Sequence, residues 1–204
     1  MPQRPHTPQQ ALQRLIEGNE RFIRGKAKHG NVSPRTLARL RGGQNPFAVI
    51  LGCSDSRVPP ELVFDQGFGD LFVIRIAGNV IAPDVNGSIQ YAHQHLGTKL
   101  MVILGHEDCG AVKAALAARF TRAKHPERIR RLVAFISPGV RRIDPAQTAA
   151  RLLAAGVEAN VRWSMHQLNR TPEMQRANRE EENVLVVGAV YELATGRVRW
   201  LEPD

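Results

Sequence analysis

The chain has 204 residues, 43% apolar and 23% charged, with 28 Lys and Arg against 19 Asp and Glu, a net charge of +9. That length and balance suit one soluble globular domain with a sizeable core, spanning residues 1–204. Two cysteines cannot build a disulfide framework, and no stretch reaches the roughly 18 apolar residues of a membrane span. The opening Met1-Pro2-Gln3-Arg4-Pro5-His6 lacks the apolar centre of a signal peptide, so a reducing, cytoplasmic location is expected. The positive charge is spread along the chain. Its densest run, Arg119 to Arg142, holds only Phe120 and Phe135 as aromatics, too few for a base-stacking platform. A solvated basic face that attracts small anions is expected, with no nucleic-acid or membrane partner.

In chain order, Leu12, Leu15, Ile16, Asn19, Phe22 and Ile23 recur at helical spacing, which predicts an amphipathic helical arm over about 8–25. It stands about twenty residues before the first strand, so it is expected to pack on a partner subunit. Continuous apolar runs follow at Phe47–Gly52, Leu71–Ile76, Leu100–Leu104 and Val184–Val190, as in strands buried on both faces of a parallel sheet. Val198–Leu201 follows a Thr195-Gly196 turn and predicts an antiparallel fifth strand. Helices are expected at Pro59–Phe64, Ser88–Leu96, Cys109–Phe120 and Ala146–Asn169. The alternation gives an α/β fold, a mostly parallel four-stranded sheet with one antiparallel edge strand. Pro138-Gly139 and Asp144-Pro145 are read as a surface excursion.

Each cysteine lies in a dense polar motif. Cys53 opens Cys53-Ser54-Asp55-Ser56-Arg57 at the end of the first strand. Cys109 closes on His106 in Gly105-His106-Glu107-Asp108-Cys109-Gly110, at the end of the third. Ligands of open α/β sheets bind beyond the carboxyl ends of strands, so the topology brings the two motifs to one edge. Two thiolates, an imidazole and a carboxylate suit tetrahedral zinc. The alternatives are two cysteines buried as small apolar groups, or a closed structural site. Asp55 and Arg57 can form a charge-assisted pair, and a carboxylate shared between arginine and metal can open or close the fourth ligand position.

With Cys53 to Val80 and Gly105 to Val112 quoted together, the sequence resembles the β-class carbonic anhydrases over nearly its whole length. The resemblance implies zinc held by Cys53, His106 and Cys109, with Asp55 or water fourth, and an Asp55–Arg57 catalytic dyad. It implies reversible hydration of CO2 to bicarbonate and a proton by a zinc-bound hydroxide, and a homodimer or homotetramer. Substrate-contacting positions implied are Gln44, Phe72, Tyr91 and Gly110, some of them reaching a partner's cleft. Ile50 stands where one branch of the family has a tryptophan tied to an allosteric bicarbonate site, so the non-allosteric branch is expected. The rival readings are hydrolysis of a related small substrate such as carbon disulfide, and a zinc-stabilised interaction module without activity.

Overall fold

Local sequence signals start most of the elements. The computed structural model describes residues 5–28 and 33–202; Met1–Arg4, part of the stretch read for a leader, lie outside them. The elements are α1 (Pro8–Ile23), α2 (Pro34–Leu40), β1 (Ala48–Gly52), α3 (Pro60–Val63), β2 (Leu71–Arg75), a 3-10 turn (Ala77–Asn79), α4 (Pro83–Leu96) and β3 (Leu100–His106). Then come α5 (Gly110–Phe120), α6 (Glu127–Val140), α7 (Ala149–Asn169), α8 (Pro172–Arg179), β4 (Leu185–Tyr191) and β5 (Val198–Trp200). Proline stands in the first turn of α1, α2, α3, α4 and α8, where its missing N–H costs nothing.

The five strands form one sheet in the order β2-β1-β3-β4-β5, parallel except for β5, as the apolar runs predict. β1 and β3 are buried along their whole length. Their side chains alternate between faces. Val49, Leu51, Met101 and Ile103 enter the core under α4 to α8, while Ala48, Ile50, Leu100 and Val102 enter the core under α1 and α3.

Packing adds to one expectation and corrects another. First, the buried residues of α1 lie on its own chain. Leu15 is fully buried, and Asn19 donates to the carbonyls of Val63 and Gly196 and accepts from the N–H of Val198. Gly18 permits this approach, because a Cβ there would fall 1.8 Å from the Phe64 carbonyl oxygen. Second, Pro138 and Gly139 are not a surface excursion but the last turn of α6. A Cβ on Gly139 would lie 2.6 Å from Trp163 of α7, whose Nε1 donates to the Phe135 carbonyl at 2.9 Å. Helix-on-helix contact outweighs the local turn propensity of Pro-Gly. Helices α2, α6 and α8, which periodicity did not single out, complete the structure.

Candidate metal centre

The site forms where two central strands end. Gly52 of β1 pairs in register with Leu104 of β3, so Cys53 emerges beside Gly105 and next to His106, the last residue of β3. A turn through Asp108, which takes a positive φ of 60°, returns the chain to place Cys109 as the N-cap of α5. The two cysteine sulfurs and a ring nitrogen of His106 thus lie within 4.8 Å of one another, and all three residues are buried. Both cysteines are free thiols, which sets aside a disulfide between them.

The imidazole is oriented for ligation. Nδ1 of His106 donates to the Glu107 carbonyl at 2.7 Å, which leaves Nε2 facing the sulfurs. Nε2 is buried and has no hydrogen-bond partner. A buried, unpartnered ring nitrogen next to two sulfurs is costly by itself, and a bound metal would satisfy it. This donor set of two sulfurs and one nitrogen fits zinc, the ion that thiolate and imidazole favour together.

The protons follow from the same crowding. Cys109 donates to the Cys53 sulfur, and the neighbouring His106 ring and the nearby backbone amides also favour its charged form. They outweigh its burial and pull its pKa down to about 4. The Cys109 thiol is pushed up by that same donation, by burial and by the neighbouring thiolate, although the first amides of α5 oppose the rise. Burial disfavours the His106 imidazolium, but the Cys53 sulfur more than offsets this and the pKa rises. The two sulfurs of the metal-free site therefore share one proton, with the charge favoured on Cys53. Zinc uptake at neutral pH is expected to expel about one proton or more per chain, since ligating sulfur must be deprotonated. Titration calorimetry in buffers of different ionisation enthalpy measures that number, and uptake without proton release would contradict the assignment.

Asp55 stands beside the three ligands rather than among them. Arg57 grips its carboxylate with two side-chain bonds, Nε to Oδ1 at 2.9 Å and Nη2 to Oδ2 at 2.8 Å, while the Arg57 backbone N–H adds a third at 3.0 Å. Oδ2 lies 3.9 Å from His106 Nε2. The Arg57 guanidinium holds the Asp55 carboxyl well below the usual carboxylate range, despite an opposing contribution from partial burial. The carboxylate in turn raises Arg57, so both members of the pair are charged. Of the two dispositions that the sequence allows, this one leaves the fourth direction from the ligand group uncovered by Asp55.

Gly110, the first residue of α5, is exposed, and no atom lies within 4 Å of where its Cβ would stand. It leaves open space directly beside Cys109. The other three positions expected to meet substrate are not brought to this edge within one chain. Gln44 is exposed and precedes β1, at the opposite end of the strand from Cys53. Five strand residues separate the two ends, about 16 Å at 3.3 Å per residue. Phe72 pairs in register with Val49, also towards the far end, and its ring lies 6.3 Å from that of the half-exposed Tyr91 on α4.

Several residues at the centre were not singled out as site residues. Arg75 closes β2 and donates to the carbonyls of Cys53 at 3.0 Å and Asp55 at 2.5 Å, clamping both ends of the loop that bears them. The Glu107 carboxylate receives the N–H of Leu193 at 2.9 Å, which ties the second motif to the β4–β5 connection. The N–H of Gly78 points at the Cys53 sulfur at 3.3 Å. A charge ending an apolar strand run marks Arg75 in the sequence; nothing comparable marks Gly78.

Residues 48–198 match the family model described as "Carbonic anhydrase". The chain is 55% identical to "Carbonic anhydrase 2" of Mycobacterium tuberculosis over 115 residues, 56% of either chain, so it spans just over half the length of that relative. Against the "Carbonic anhydrase" of Mycolicibacterium smegmatis it is 38% identical over 198 residues, covering 94% of this chain and 92% of the other. Among solved structures it resembles one of two tetrameric β-carbonic anhydrases of the ascomycete Sordaria macrospora. That likeness has a TM-score of 0.76 at 25% identity, over 94% of this chain and 97% of that one. Among the described residues, no helix is long and apolar enough to cross a membrane.

Proposed function

The chain belongs to the β-carbonic anhydrase family, and on that premise we propose that it catalyses the reversible hydration of CO2 to bicarbonate and a proton. The observation that carries the proposal is the buried Cys53–His106–Cys109 group with the Asp55–Arg57 pair turned aside from it. Zinc, the cofactor that this donor set fits, supplies Lewis acidity and lets water act as a nucleophile at neutral pH.

The remaining roles fall to the chain itself. Cys53 and Cys109 contribute two negative charges, which makes the metal a weaker acid than three imidazoles would, so activity should rise on the alkaline side of neutrality. Asp55, ionised throughout the working range, accepts a hydrogen bond from the attacking water and orients its lone pair towards CO2. Arg57 keeps that carboxylate from taking the fourth ligand position itself. Gly110 leaves the approach open. Gln44, Phe72 and Tyr91 line the substrate cleft only if a second copy presents them, so the reading includes a homodimer or a dimer of dimers. The Sordaria macrospora relative is a tetramer. A reducing cytoplasm suits the two free thiols.

The test is CO2 hydration by stopped flow, from about pH 6.5 to 9, with zinc quantified on the same sample. Turnover should scale with zinc content and increase with pH. Zinc-replete protein that is inert at about pH 9 would overturn the proposal.

A further inference from the structure

Helix α7 presents a buried stripe to the sheet and to the turn after β2. Val157, Val161 and Leu168 on that stripe are apolar, but Asn160 and Ser164, four apart, are not. Both are 1% exposed. Each spends its side chain on one backbone carbonyl of the 3-10 turn, far away in sequence. Asn160 Nδ2 donates to Gly78 O at 2.8 Å, and Ser164 Oγ donates to Asn79 O at 3.1 Å.

The turn they hold has an uncommon backbone. Gly78 and Asn79 both lie in the left-handed region, with φ of 73° and 43°. Asn79 takes that conformation at a steric cost that Gly78 escapes. Gly78 is also pressed from outside, since a Cβ there would stand 2.8 Å from Ile136 and 3.0 Å from Ala111. The product of this constraint is one aimed donor, the Gly78 N–H at 3.3 Å from the Cys53 sulfur.

We propose that Asn160 and Ser164 are positioning residues for the Cys53 sulfur. By anchoring the carbonyls of Gly78 and Asn79 they fix the two peptide planes that follow the Gly78 Cα, and with them the turn that carries the Gly78 N–H, and so hold the sulfur in place as a metal ligand. The chain of contact runs from α7 to the turn to the sulfur, and neither residue touches the metal group. An apolar pair would fill the same space but leave the two turn carbonyls without these donors. Two buried polar side chains are warranted by what they orient. The inference rests on the zinc reading of the site.

Asn160→Ala and Ser164→Ala test it, with Ser164→Thr keeping the hydroxyl and Val161→Ala as a control. Val161 is fully buried on the same stripe but faces the sheet, against Gly105 and Gly188. Folded zinc proteins are mixed with excess chelator and the release of zinc is timed. The same chains loaded with cobalt(II) report the sulfur-to-metal charge-transfer band. N160A and S164A should release zinc about 10- to 100-fold faster, the usual cost of removing such support. Their cobalt band should move to lower energy, because a thiolate without its N–H donor is more electron-rich. S164T should restore both readouts. V161A should lower the melting temperature yet leave release and spectrum as in the parent chain. Parent-like release and spectra in N160A and S164A would overturn the inference, as would equally fast release in V161A. A parent chain that takes up neither zinc nor cobalt overturns the metal reading itself, and this inference with it.

Discussion

Cys53→Ser is expected to cost the protein its metal and with it all measurable CO2 hydration. Binding free energies for structural zinc run to about 10–16 kcal/mol, so one of four ligands carries about 3–4 kcal/mol, two to three orders of magnitude in affinity. A serine hydroxyl does not ionise at neutral pH and is a poor match for a site of soft donors. Cys53 is also the sulfur on which the local hydrogen bonds converge, from Cys109 and from Gly78, and their donation favours its thiolate. The measurement is zinc per chain after dialysis, alongside turnover. Full zinc retention by C53S would remove Cys53 from the ligand set. The sign of the pH effect follows from its partner. Cys109 is raised and keeps its proton in the metal-free protein, so metal affinity should fall as pH falls, by about tenfold per unit for each proton displaced. Dissociation constants at two pH values read this directly.

Asp55→Asn should do the opposite, leaving zinc in place while turnover collapses. The carboxamide matches the carboxylate in shape, and Asp55 stands outside the Cys–His–Cys group, so metal content should equal that of the parent chain. What disappears is a fixed negative acceptor, and with it the bidentate pair to Arg57. Losing one preorganised group of this kind costs about two to four orders of magnitude in kcat. The loss should appear equally in kcat and kcat/KM, as for an interaction made in the transition state. Because Arg57 holds the Asp55 carboxyl far below the usual range, the parent enzyme keeps the charge across the whole assay, and the deficit of D55N should be uniform with pH. In the folded state this depressed group favours stability above the ordinary carboxylate pKa and loses that contribution in strong acid. The pair is partly exposed, so its share is the small one of a surface ion pair. Unaltered turnover in D55N would remove Asp55 from the mechanism.

Much of this was legible in the linear sequence because the chemistry is concentrated at strand ends. Apolar runs of five to seven residues define the parallel strands, and the rule that sites lie beyond the carboxyl edge then joins Cys53 to His106 and Cys109 without any coordinates. That Asp55 could pair with Arg57 is legible from spacing and charge. The helices that periodicity missed are short or carry misleading residues. Pro138-Gly139 looks like a break, yet it packs inside α6 because Trp163 needs a flat surface to cross. α1 shows an apolar face, but only the fold reveals that Asn19 stitches that face to Val63, Gly196 and Val198 of its own chain.

The sequence by itself determined the strands, their mostly parallel character and the candidate metal-ligand types, since these depend on side-chain polarity repeating along one strand or motif. Only the tertiary structure decided the state and support of the site. Asp55 rests on Arg57, Arg75 clamps the Cys53 loop, and Asn160 and Ser164 reach across more than eighty residues to aim the Gly78 N–H. The reason is physical. Ligand identity is a property of a side chain, whereas the direction of a lone pair or a backbone amide depends on groups that meet only when the chain has closed on itself.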